Sequence, residues 1–291
     1  MATYDHIRNP VEWVADQLVE LTHILGRAGR ALRSVGAARS AARPAVNTIT
    51  LADLRDVLAR GYEDLGACRT DAMFIAAIYP LAGLLLGGVV LNYGLLPLAF
   101  PLASGFALIG PVAALGLYEL SRRRELERVE APRDLPIPDR GPAIGSIAVL
   151  GLVVLAIFAL WLAAAFAIYQ ATLGPQAPTS IRSFVLDVFT TGAGWAMIVV
   201  GIGVGFLFAA LVLTIGVVSF PLMLDRNVGP LTAAETSVRA VIANPIPMAA
   251  WGGIVAAGLV VGSLPLLLGL IIVMPVLGHA TWHLYRRVAP R

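Results

Sequence analysis

Apolar positions along this chain first come in stripes and then in long unbroken runs. In the first stripe, Val11, Val14, Leu18, Leu21, Leu25, Ala28 and Leu32 recur at spacings of three and four. That spacing predicts one apolar face on a helix, started near Asn9-Pro10. Glu12, Asp16 and Glu20 fall in its first half, and Arg27, Arg30 and Arg33 in its second, as the helix dipole favours. Gly26, Gly29 and Gly36 weaken the later turns, and Arg39 to Pro44 reads as a flexible link. A second helix is predicted from Thr50. Thr50-Leu-Ala-Asp53 resembles a capping box with Asp in place of Glu. Leu51, Leu54, Leu58, Tyr62 and Leu65 line one face, with Arg55, Asp56, Arg60, Glu63 and Asp64 elsewhere. It leads through Cys68-Arg69-Thr70-Asp71 into the apolar runs.

The longest run sets the class of the protein. From Gly194 to Leu224 there is no charge and only two hydroxyls, Thr214 and Ser219, and then Asp225-Arg226 ends it abruptly. This exceeds the roughly 20 apolar residues that cross a bilayer. Comparable runs place further spans at about 72–91, 95–118, 143–169, 247–262 and 265–285. The final apolar region, from Met248 to Tyr285, is too long for one crossing, and Gly262-Ser263-Leu264-Pro265 divides it. After Glu119, the loop to Pro142 is rich in Arg and Pro and should be extended. Ile181, Phe184, Val185 and Val188 form one face of a short interfacial helix after Thr179-Ser180. Pro230-Leu-Thr232-Ala-Ala-Glu235 reads as a capping box starting a helix that runs through Ala243.

Charge sets the direction. All 21 basic residues are Arg. They crowd the N-terminus, the loop after the second span, the loop after the fourth, and the C-terminus. Placing all four segments in the cytosol requires an even number of spans. The expected fold is an all-α polytopic bundle of six transmembrane helices, with both termini cytosolic. Residues 1–49 would be a cytosolic extension, 50–71 a juxtamembrane helix and 72–291 the membrane domain.

Composition narrows the function. The chain is 58% hydrophobic and 13% charged, against about 25% charged in soluble domains, so it cannot cover a soluble surface. Aromatic-flanked basic patches that read nucleic acid are absent. One cysteine, Cys68, excludes an internal disulfide and a thiolate metal cluster, and reads as a small apolar residue at the membrane entry. Secretory signal features are missing from the first residues.

Polar groups within the apolar runs are functional candidates. His279 and His283 are four apart and share one helical face. They could hold a metal or take part in haem ligation, although no carboxylate or cysteine accompanies them. Otherwise they hydrogen-bond near the cytosolic interface, with Trp282 and Tyr285 as aromatic-belt residues. Glu119 and Arg123 lie one turn apart and should pair. Asp225 and Arg226 should pair locally at the membrane surface. Gly83-xxx-Gly87, Gly201-xxx-Gly205 and Gly258-xxx-Gly262 permit close helix packing. No Ser–His–Asp set or carboxylate pair can be assembled within the membrane, so no catalytic residue is assigned, no cofactor is expected and enzymatic function is the least supported.

Several motifs resemble a bacterial family of predicted integral membrane proteins, the domain of unknown function DUF2189. They are Leu117-Tyr118-Glu119-Leu-Ser-Arg122-Arg123, Thr190-Thr191-Gly192-Ala-Gly194-Trp195, Val218 to Arg226, Thr232 to Pro245, and Leu277-Gly278-His279-Ala-Thr-Trp282-His283. The resemblance extends over about Leu51 to Arg287 and implies a multi-pass protein of the bacterial inner membrane. Some members carry the label of cytochrome c oxidase subunits. A catalytic oxidase subunit holds two haems and a copper mostly through six His, whereas this chain has four His, two of them (His6 and His23) in the N-terminal extension. The role expected is that of an accessory, assembly or scaffold component. Besides lipid, its partner would be a respiratory or photosynthetic complex docked through the N-terminal helix. The alternative is a transporter of a small molecule or lipid.

Overall fold

A computed structural model describes residues 44–92, 95–128, 141–174, 178, 180–226 and 228–290. The N-terminal amphipathic helix and most of the Arg- and Pro-rich loop lie outside these residues. The described part is all-helical. Its helices are α1 (Leu51–Ala67), α2 (Arg69–Ala76), α3 (Ile78–Asn92), α4 (Ala99–Ala113), α5 (Leu115–Arg128), α6 (Gly141–Thr172), α7 (Ile181–Thr190), α8 (Gly192–Gly216), α9 (Ser219–Asp225), α10 (Pro230–Ala243), α11 (Pro245–Ser263) and α12 (Leu270–Val288).

Three described helices are long and apolar enough to cross a membrane: Ala143–Thr172, Gly192–Asp225 and Pro245–Ser263. A fourth span results if the pair Leu51–Ala67 and Thr70–Leu85, bent by 99°, is one broken crossing. The other apolar segments of the six expected are broken locally among the described residues. Pro80 has no N–H to donate to the turn before it, and the helix there is split at Ala77. The 95–118 segment is likewise broken at Ala114. α12 starts at Leu270 rather than Pro265, after a turn in which Leu266 and Leu267 adopt positive φ (51° and 67°). Its second half carries two His and two Arg, which lower its apolarity.

Two caps follow the sequence. Thr50 and Asp53 form the capping box at α1, and Ser180 caps α7 with Ser183 as its reciprocal partner. Two local expectations are corrected. α10 begins at Pro230, with Gly229 at the cap and no side-chain cap, because proline suits the first helical position; Thr232 lies inside the helix. After Glu119 the chain does not become extended, since α5 continues to Arg128.

Helix α12 is the hub of the Arg-rich end. It packs against α1, α2, α5 and α11. Gly61 of α1 sits so close to it that a Cβ there would lie 2.7 Å from the Val276 carbonyl oxygen and 2.8 Å from the Ala280 Cβ. Gly278 gives the same close approach to Leu117 of α5. Of the small-residue pairs, Gly258 and Gly262 pack against Val273 and Leu277 or Leu270, and Gly205 packs on Trp161. Gly87 and Gly201 face open space.

Buried backbone breaks are satisfied from side chains, as the low-dielectric interior demands. Pro221 follows the break between α8 and α9. There the Ser237 hydroxyl donates to the Thr214 carbonyl (2.8 Å) and accepts from Val218 N–H (3.2 Å). Asn244, between α10 and α11, holds the segment before α1. Its Oδ1 accepts from Ile49 N–H at 2.7 Å and its Nδ2 donates to the Asn47 carbonyl at 3.0 Å. Asn47 N–H in turn donates to the Val288 carbonyl at 2.8 Å.

Candidate functional site

The buried face of α1 consists of Leu54, Val57, Gly61, Asp64 and Leu65. This differs from the expected apolar face. Leu51 and Tyr62 point outward, 53% and 69% exposed, while Asp64 turns inward and is 2% exposed. A buried carboxylate must be paired and hydrogen-bonded, and Asp64 is. Its Oδ2 accepts from the Ser121 hydroxyl at 2.7 Å and contacts His283 Nε2 at 2.8 Å. Its Oδ1 accepts from Arg124 Nη1 at 2.6 Å, and the same Nη1 donates to the Glu63 carbonyl at 2.8 Å. Burial pushes the Asp64 carboxyl up, but the hydrogen bonds from His283 and Ser121, with the nearby Arg124 charge, outweigh it and hold the group below its ordinary value.

The network continues inward. His279 Nδ1 lies 2.7 Å from the Ser121 oxygen. An ionised carboxylate only accepts, so the His283 Nε2 carries a proton and the Ser121 proton points at Asp64. His279 Nδ1 is then the donor to Ser121. Its Nε2 is buried without a hydrogen-bond partner. The sequence reading finds no Ser–His–Asp set within the membrane; the fold nonetheless gathers Ser121, Asp64 and both histidines at the Arg-rich end. The order is not that of an activated nucleophile, in which His accepts the serine proton. Here serine bridges His279 and Asp64.

A second cluster lies beside the first. Arg286 grips Glu125 through Nη2 (2.7 Å) and Nε (3.0 Å), and Trp282 Nε1 donates to the same carboxylate at 3.1 Å. The Tyr285 hydroxyl donates to Asp225 at 2.7 Å. Arg286 Nη1 lies 3.7 Å from Asp225, buried and without a hydrogen bond. Trp282 and Tyr285 are fully buried, so they are interior anchors rather than belt residues. Asp225 and Arg226 approach each other only to 3.9 Å. Beyond that local ion pair, Arg226 donates through Nη2 to the Ala289 and Pro290 carbonyls, at 2.8 and 2.6 Å. Glu119 pairs with Arg123 as expected (2.7 Å) and also with Arg122 (2.7 Å). Arg287 reaches back to Asp53 (2.8 Å) and Asp56 (3.0 Å) on α1.

Between these clusters lies a cavity of about 340 Å³. α1, α5 and α12 line it, with Arg60, Asp64, Arg124, His283, Arg286 and Arg287 among its walls. His279 and His283, whose spacing would allow a shared metal, each contact a different protein partner, Ser121 and Asp64. Among the described residues no group of three or more His, Cys, Asp or Glu is placed to hold a metal ion. Sequence reasoning missed Asp64, Ser121 and Arg124. The available signal was that Val57, Gly61 and Asp64 extend a stripe at helical spacing.

No curated protein and no solved structure matches the chain. A family match covers the part of the site that holds Ser121, Arg124, Glu125 and Asp225, but not Asp64 or the α12 residues. It is narrower than the span over which the motifs suggest the resemblance. Residues 99–225 of the chain match the family described as predicted integral membrane protein, DUF2189.

Proposed function

We propose that this integral membrane protein is an accessory, assembly or scaffold component acting through protein–protein contacts within the bilayer. The observation that carries the reading is how little of the spanning helices the protein covers itself. Over their most apolar windows, Ala143–Thr172 is 28% buried, Pro245–Ser263 17% and Gly192–Asp225 only 6%. Gly201 and Gly203 on α8 meet nothing within 4 Å, which leaves room for the close approach of a helix from another chain. The Arg-rich end, by contrast, is cross-linked by buried ion pairs, as suits a rigid platform. The family resemblance directs the search to a bacterial inner membrane and a respiratory oxidase.

The test is affinity purification from native membranes in mild detergent, with co-purifying chains quantified. A stoichiometric membrane partner, lost on Gly201→Leu or on removal of residues 11–43, is the expected result. Recovery of the protein alone, with both variants unchanged, overturns the reading. Transport of a small molecule or lipid is the second reading, and the cavity at the Arg-rich end favours it. It requires a route from that cavity through the bundle.

A further inference from the structure

The cavity among α1, α5 and α12 has an unequal supply of donors and acceptors. Two carboxylates, Asp64 and Glu125, line it against four guanidinium groups. Both carboxylates are already taken: Asp64 accepts from Ser121, His283 and Arg124, and Glu125 from Arg286 and Trp282. Arg287 is held by Asp53 and Asp56 at the outer edge of α1, so its charge is matched. Among the described residues Arg124 spends only Nη1, which leaves its other N–H groups without a partner there. Arg60 makes no ion pair or hydrogen bond with any described residue, yet it lines the same space. With Arg124 and Arg286 set against Asp64 and Glu125, and Arg287 against Asp53 and Asp56, Arg60 is a guanidinium without an ion pair among the described residues at the wall of a concave, donor-rich site.

We propose that this cavity binds a small anion bearing a phosphate ester, held chiefly by Arg60 and the free edge of Arg124. Planar guanidinium forks suit phosphate oxygens. A volume of about 340 Å³ exceeds that of a bare ion and falls at the lower end of small-molecule sites. The same headgroup chemistry reaches the cavity either as a soluble phosphomonoester or as the head of an anionic phospholipid from the adjoining bilayer. The proposal is independent of the scaffold reading, since it needs no protein partner.

The test uses the full-length protein. In detergent, glycerol 3-phosphate and inorganic phosphate are titrated by calorimetry. In a second arm, the protein is placed in nanodiscs of phosphatidylcholine with or without phosphatidylglycerol, and retained lipid is read by native mass spectrometry. Each is repeated with Arg60→Ala and Arg60→Lys. Arg60 is exposed and unpartnered, so its replacement should leave the unliganded melting temperature unchanged. Loss of one charge-assisted contact should weaken binding about tenfold in Arg60→Ala, with partial recovery in Arg60→Lys. An effect in the first arm alone identifies a soluble ligand, and one in the second alone identifies a lipid headgroup. Binding in neither arm, or equal binding by wild type and Arg60→Ala, overturns the proposal.

Discussion

Asp64 and His283 are separated by 219 positions in the chain, and their side chains meet at 2.8 Å. That contact ties the amphipathic helix before the membrane domain to the last helix of the protein. Ser121 and Arg124 reach the same carboxylate from α5, so one buried acid joins three helices.

Removing that acid strands its partners. Asp64→Ala should destabilise the protein by about 3–5 kcal/mol, the usual cost of breaking a buried pair on one side. Asp64→Asn keeps the shape and should cost less. Melting temperature in detergent measures both. Equal, negligible shifts would mean that the network adds nothing to stability.

The same group gives a pH dependence with a definite sign. Its native pKa is held below the ordinary carboxylate value, which is about 3.9 unfolded. The stability it contributes is therefore fully present above about pH 4 and lost as pH falls through the lowered native value. A melting-temperature profile from pH 7 down to pH 3 should fall more steeply for wild type than for Asp64→Asn. Parallel profiles would remove Asp64 as the source.

Two glycines should respond in opposite ways to added bulk. Gly61→Val forces side-chain atoms against the backbone of α12 and should cost about 1–3 kcal/mol or more, as overpacking does. Proteolytic release of α1 would report it. Gly201 faces open space, so Gly201→Ala should leave the melting temperature of the isolated protein unchanged.

Tryptophan exposure separates interior from lipid-facing positions. Trp195 is 54% exposed and Trp282 is fully buried. In single-tryptophan variants, brominated lipid should quench Trp195 strongly and Trp282 hardly at all. Comparable quenching of the two would return Trp282 to the lipid boundary.

What could be read from the sequence was whatever is encoded locally. The Thr50–Asp53 box, the Ser180 cap, the Glu119–Arg123 pair and the long apolar helices each depend on residues within a few turns of one another. The polar network does not. In the sequence Asp64 falls off the apolar stripe with Arg55, Asp56, Arg60 and Glu63, because Tyr62 and Leu51 complete an apolar face without it. Its inward turn depends on Gly61, whose missing side chain admits α12, and on partners 57 to 219 positions away. Arg226 keeps its adjacent acid as an ion pair at 3.9 Å, while its hydrogen bonds go to the carbonyls after α12, which only the fold brings close.

The position of α12 in the chain also fixes the order in which the protein can mature. Asp64 leaves the ribosome long before His283, and Asp53 long before Arg287. Until α12 is delivered, Asp64 can meet only Ser121 and Arg124 of α5. The helices through α11 can be inserted while the Arg-rich end stays open. Closure is then a single late event that brings His283 and Arg286 to their carboxylates and also fastens the Asn47 backbone to Val288.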